Sequence, residues 1–228
     1  MRRMINALIF DFDGLILDTE TAEIRTWQKM YAEYGHPFPQ DEFIQTVGGF
    51  GLSNFDAARY LHEVTDGALN EEVVRQRFKN ESGEEIRRSP ILPGVEDILA
   101  EAKRRHMKLA VASSSKHAWV DTHLTRLGLF PQFDIVICSE DVPAGRTKPH
   151  PDLFLKALEE LKAKVGEALI FEDSPHGVAA ANAAGIAVVV APNPTTIRMP
   201  FNGEYLKLKS LADLSLEEMM AHFDGIRI

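Results

Sequence analysis

Five short runs in this chain are apolar at nearly every position: 7–10 (ALIF), 109–112 (LAVA), 134–137 (DIVI), 168–171 (ALIF) and 187–190 (AVVV). A strand with one wet face alternates polar and apolar residues, so runs apolar on both faces must be covered on both. Segments of helical period lie between them. Val95, Ile98, Leu99 and Ala102 form one apolar face, and Val120, Leu124 and Leu127 another. Phe154, Ala157, Leu158 and Leu161 form a third, and Val178–Ala184 predicts a helix that Gly185 ends. Ser215 and Glu218 have capping-box spacing before a last helix. Strands alternating with helices predict an α/β fold, a parallel sheet with helices on both faces.

The alternation is interrupted once. Residues 18–88 hold no convincing strand. Ile24, Trp27, Met30, Tyr31 and Tyr34 recur at helical spacing, with Asp18 or Thr19 as cap. Short helices are expected near 41–46 and from Ser53 or Asn54 to Val64, and a highly charged one over 70–87. Pro90 and Pro93-Gly94 mark the return. The expected organisation is an α/β core of 1–17 and 89–228 carrying a small all-helical insertion, 18–88. Gly48-Gly49-Phe50-Gly51 is expected to be a loop facing the functional site. Trp27 and Tyr31 read as core aromatics before pocket lining.

Ligands of open parallel sheets gather at the carboxyl ends of the strands. Asp11 and Asp13 follow the first run, Ser113, Ser114, Ser115 and Lys116 the second, and Glu172, Asp173 and Ser174 the fourth. Lys148 precedes the helix after the third. Residues i and i+2 of an extended chain share a side, so Asp11 and Asp13 leave the first strand together. Close carboxylates repel and are costly to desolvate, and a hard cation such as magnesium offsets that cost. Hydroxyls, a lysine and four acids on one edge suit a phosphoryl group beside Mg2+. Taken singly, the serines read equally as a helix cap, Lys148 as a surface lysine, and Glu172 and Asp173 as helix-start acids.

The net charge of −9 disfavours general nucleic-acid or anionic-membrane partners. Cys138 is the only cysteine, which excludes an internal disulfide and fits a reducing compartment. Arg2 and Arg3 precede an apolar stretch, but Asp11 and Asp13 interrupt it too early for a signal sequence. A cytoplasmic monomer is expected.

Four segments in order, DFDGLILDTE at 11–20, VASSS at 111–115, TKPHPDLF at 147–154 and FEDSPHG at 171–177, make the chain resemble the haloacid dehalogenase superfamily of phosphohydrolases. It is most similar to the branch of β-phosphoglucomutase and phosphoglycolate phosphatase-like enzymes. The resemblance implies a Rossmann-like three-layer core, with residues 18–88 as a cap that opens and closes about hinges near 17–19 and 88–93. It implies Asp11 as nucleophile, forming an aspartyl-phosphate, and Asp13 as the acid and base that serves both half-reactions. Magnesium would sit on Asp11, the Asp13 carbonyl and Asp173, with Glu172 beside it. Ser113 and the Ser114 amide would hold phosphate oxygens, Lys148 would neutralise the transferring group, and Ser115 and Lys116 would orient substrate. The expected activity is Mg-dependent hydrolysis of a small phosphorylated metabolite, such as a sugar phosphate or phosphoglycolate. A phosphomutase is the enzyme alternative. It is weakened because Glu23 stands where β-phosphoglucomutase carries a histidine, and because 48–53 holds no arginine. The non-enzyme alternative is a receiver domain phosphorylated on aspartate.

Overall fold

The computed structural model describes residues 5–46, 53–203 and 205–223. They divide into two compact units, 5–17 with the residues from 90 onward, and 18–46 with 53–89. The Gly48–Gly51 loop and Phe50 lie outside the described residues.

The chain opens with β1 (Ala7–Phe10), buried at every position. It then enters the helical unit: α1 (Glu20–Glu33), α2 (Gln40–Ile44), α3 (Ala57–Val64) and α4 (Glu71–Arg88). Asp18 caps α1 by accepting from Thr21 N at 3.0 Å. The expected start of α3 is displaced. Asp56, rather than Ser53 or Asn54, accepts from the backbone of Ala58 and Arg59, so the helix begins at Ala57. Asn70 caps α4 through Val73 N. The small core of this unit holds Trp27, Met30, Tyr31, Ala57, Ala58, Leu61 and Val74. The Trp27 ring stacks on Phe78 at 4.1 Å, and the Tyr31 hydroxyl donates to Ala57 O at 2.6 Å. Both aromatics are core residues of this unit.

The other unit continues with α5 (Val95–Arg104), β2 (Lys108–Ala112), α6 (His117–Arg126), β3 (Ile135–Ile137), α7 (Asp152–Leu161), β4 (Ala168–Glu172), α8 (Pro175–Ala184), β5 (Ala187–Val190), β6 (Leu206–Lys207) and α9 (Leu216–His222). β6 has no counterpart in the sequence expectation. It is two residues long and not fully buried, too short to show a period. The expected capping box starts α9, with Ser215 N donating to Glu218 Oε2 at 2.8 Å.

The strands form one parallel sheet in the order β3-β2-β1-β4-β5-β6. Ala7, Ile9, Ala110, Ala112, Ala168, Ile170, Val188 and Val190 face the buried sides of α7 and α8. The alternate residues point to the opposite face, where Phe10 stacks on Phe171 at 4.7 Å. Right-handed crossovers place α5 and α6 there. The result is a three-layer, Rossmann-like α/β architecture. Among the described residues no helix is long and apolar enough to cross a membrane.

The register sets the site. Phe10 lies level with Val111 of β2 and Phe171 of β4. The next residues of the three strands therefore emerge along one edge. The strand order reverses between β1 and β4, which opens a crevice at that point.

Candidate active site

Lys148 is at the centre of the edge beyond β1 and β4. It is 2 % exposed, and its Nζ donates to Asp11 Oδ1 and, at 2.6 Å, to Glu172 Oε1. The Phe154 ring centroid is 5.0 Å away. Burial opposes the lysine charge, yet the Asp11 and Glu172 carboxylates outweigh it and raise its pKa. Lys148 is thus a buried lysine whose charged form its two carboxylate partners favour. Burial and the Glu172 charge push the Asp11 carboxyl upward, and Lys148 pulls it the other way.

Glu172 is fully buried and both of its oxygens are engaged. Oε1 accepts from Lys148, and Oε2 accepts from Asp173 N, Ser174 N and Ser174 Oγ at 2.9–3.0 Å. Its carboxylate thus fixes both the lysine and the turn that presents Asp173. Asp173 Oδ2 in turn accepts from Asn193 Nδ2 at 2.9 Å and Thr196 Oγ1 at 3.1 Å. Gly14 passes against this group with φ +81°. A β-carbon there would lie 2.4 Å from Asp173 Oδ2, so the position needs glycine for both its conformation and its space.

Asp13 is drawn toward β2 and α6. Its Oδ2 accepts from Ser115 Oγ at 2.6 Å and lies 3.4 Å from Ser113 Oγ, and its Oδ1 accepts from Trp119 Nε1 at 2.8 Å. Ser113 Oγ also accepts from Ser115 N at 3.0 Å. The Ser114 hydroxyl oxygen is buried without a hydrogen-bond partner. Lys116 is exposed at the N-cap position of α6. His176 is buried in the first turn of α8, where burial holds its pKa low. Asp11, Asp13, Ser113, Ser115, Lys148, Glu172 and Asp173 therefore share one edge. Sequence reasoning missed Trp119, Asn193 and Thr196, each of which holds one of the acids. The one signal for Trp119 is its place with His123 and Arg126 on a polar–aromatic stripe of α6, beside the apolar Val120 and Leu124.

One oxygen each of Asp11, Glu172 and Asp173 lies within 4.8 Å of the others. Four carboxylates at this edge, counting Asp13, face a single buried lysine. An all-oxygen, anionic and mostly buried donor set fits a hard divalent cation and does not fit a soft one.

The sequence profile of the family described as "Haloacid dehalogenase-like hydrolase" matches residues 8–191, which spans this entire edge. The chain belongs to the haloacid dehalogenase-like hydrolase family. It is an enzyme of the hydrolase class. "Putative phosphatase YhcW" of Bacillus subtilis (strain 168) is 37% identical over 222 residues, covering 97% of this chain and 99% of that one. The "Phosphorylated carbohydrates phosphatase" of Thermotoga maritima is 32% identical over 187 residues, covering 80% and 82%. Among solved structures, CbbY from Rhodobacter sphaeroides in complex with phosphate has a TM-score of 0.71 at 25% identity, covering 95% of this chain and 99% of that one. The receiver alternative falls on family membership. It also falls on topology, because receiver-type sheets use the strand order 2-1-3-4-5 and this sheet runs β3-β2-β1-β4-β5-β6.

Proposed function

We propose that this hydrolase is a Mg2+-dependent phosphatase that cleaves a small phosphorylated metabolite, a sugar phosphate or a short phosphorylated acid, through an aspartyl-phosphate on Asp11. The observation that carries the reading is the buried Asp11–Lys148–Glu172 triad, with Asp13 at the same sheet edge. A carboxylate nucleophile must be held still and shielded from the charge of the phosphate it attacks. Lys148 does both, because Glu172 anchors it from behind. Asp11, Asp173 and the Asp13 carbonyl would hold the magnesium, with Glu172 setting the turn beside it. When bound, the ion supplies charge neutralisation for the transferring phosphoryl group.

The chain's own groups divide the remaining work. Ser113 and the unpartnered Ser114 hydroxyl offer donors for phosphate oxygens at the end of β2. Asp13 protonates the leaving oxygen, then takes the proton of the attacking water. The helical unit acts as the cap, and its residues select the substrate. The relatives support the substrate class by their names. One is a phosphatase of phosphorylated carbohydrates, "Hexitol phosphatase B" of Escherichia coli is 27% identical over 219 residues, and CbbY has been solved with xylulose-(1,5)bisphosphate.

The test is phosphate release from a panel of sugar phosphates, phosphoglycolate and nucleotides, with and without magnesium, for wild type and Asp11→Asn. Release that needs magnesium and disappears in the variant is expected. Full activity in Asp11→Asn would overturn the nucleophile assignment. Interconversion of sugar phosphates without net release would favour a mutase.

A further inference from the structure

We propose that Trp119 is a positioning residue for Asp13, and that its indole N–H makes Oδ2 the oxygen through which Asp13 gives and takes the proton of the reaction. The inference rests on the phosphatase reading above.

Trp119 is the third residue of α6, one helical turn past the serine loop at the end of β2. Its ring stands edge-on to His123 at 4.3 Å, and His123 lies between it and the buried Phe12, 6.4 Å away. Phe12 is the residue between Asp11 and Asp13, so this stack braces α6 against the backbone that carries both acids. The start of α6 is fixed as well. His117 N donates to Glu140 Oε2 at 2.7 Å, and the His117 ring bridges Asp141 (2.8 Å) and Asp121 (3.2 Å). The indole nitrogen is thus presented to Asp13 by a rigid platform.

The two oxygens of Asp13 have partners of different kinds. Oδ1 meets an indole N–H, which donates and cannot accept. Oδ2 meets hydroxyls, which do either by rotating. A carboxylic acid accepts better at its carbonyl oxygen than at its hydroxyl oxygen. The indole therefore holds Oδ1 as the carbonyl oxygen and places the proton on Oδ2. The Ser115 hydroxyl donates to Oδ2 when it is bare and turns away or accepts when it is protonated. This is the arrangement that a group cycling between acid and base on one oxygen requires.

In the first half-reaction the bond from phosphorus to the leaving oxygen breaks as the Asp11 oxygen bonds to phosphorus, and the Oδ2 proton passes to the leaving oxygen. In the second, a water oxygen bonds to phosphorus, its proton goes to Oδ2, and the Asp11 carboxylate departs with its electron pair.

The test is the leaving-group dependence of Trp119→Phe, which keeps a ring against His123 and removes the N–H. kcat/KM is measured with p-nitrophenyl phosphate and with the sugar phosphate that wild type cleaves fastest. Nitrophenolate departs without a proton, whereas a sugar alkoxide does not. A charge-assisted hydrogen bond of this kind corresponds to roughly 10–100-fold, so that loss is expected on the sugar phosphate, with less than about threefold on the aryl ester. Equal losses on both, or none on the sugar phosphate, would overturn the assignment, because a purely structural role lowers both alike. The chain has two tryptophans, so its NMR spectrum carries two indole N–H resonances. Asp13→Asn must move one of them, and if neither moves the contact does not exist in solution. That measurement decides the matter should Trp119→Phe fail to fold. Wild type that releases phosphate from neither compound would overturn the phosphatase reading and this assignment with it. An active wild type with uniform losses in the variant would overturn the assignment alone.

Discussion

Replacing Gly177 by alanine should unfold this protein more readily, although alanine is the better helix former. Gly177 lies in the first turn of α8 and accepts no side chain. A β-carbon there would sit 1.8 Å from Glu172 Cδ and 1.9 Å from Oε1. Glu172 has no room to retreat, because Lys148, two backbone amides and the Ser174 hydroxyl hold it. Either the carboxylate gives up one or two charge-assisted hydrogen bonds, at about 1.5–3 kcal/mol each, or α8 shifts at an overpacking cost of about 1–3 kcal/mol. The two routes span about 1–6 kcal/mol, so a net loss of up to about 5 kcal/mol follows after subtracting a helix-propensity gain of up to about 1 kcal/mol. For a chain of this size each kcal/mol moves the melting temperature by about 2–4 °C, so the drop should be up to about 20 °C. Gly83 in α4 is the matched control. Its added β-carbon would meet only Arg87 Nη1, at 3.5 Å. Gly83→Ala should raise stability by about 0.4–1 kcal/mol. Scanning calorimetry of the two variants decides the matter. If Gly177→Ala melts no lower than wild type, the close approach of α8 to Glu172 is not the constraint described here.

Asn193→Ala should weaken magnesium binding by about 10–100-fold in titration calorimetry, since Asn193 holds the second oxygen of Asp173; an unchanged Kd would show that the amide does not orient the acid. His117 supplies a pH prediction. Partial burial opposes its charge, but the hydrogen bonds to Asp141 and Asp121 win and hold its pKa above the ordinary histidine value. A folded pKa above the unfolded one means that this stabilisation is full below the unfolded value and is lost as pH climbs through the folded value. The melting-temperature gap between wild type and His117→Gln should therefore shrink as pH rises above the ordinary histidine value, and a constant gap would contradict the ion-pair reading.

Strands β1, β2, β4 and β5 are legible in the sequence because burial on both faces leaves them almost no polar position to confuse the pattern. The shorter signals compete. Ser53, Asn54 and Asp56 can all cap a helix, and only the contacts of the folded chain select Asp56. The gathering of Asp11, Lys148, Glu172 and Asp173 is legible because three of them follow directly from strand ends, and register aligns strand ends. Glu172 shows the limit of that logic. Its position reads as a cation neighbour, while its partners reveal a bracket for Lys148 and for the following turn. Trp119, Asn193 and Thr196 were beyond sequence reasoning for one physical reason. Each touches the site only through another side chain, and a tryptophan beside Val120 on an amphipathic helix carries the same pattern as ordinary packing.

β1 pairs with β2 and β4, whose first paired residues, Lys108 and Ala168, come roughly 100 and 160 positions after Ala7. During synthesis at about 5–20 residues per second, β1 waits about 5–20 s for its first neighbour. The helical unit lies wholly within that interval, and among the described residues its core draws on no later residue. It is therefore complete while ALIF still exposes two unsatisfied edges, the kind of segment that seeds aggregation and recruits chaperones. The central strand, which leads into Asp11, is thus made well before either of the strands that flank it and is protected only when they arrive.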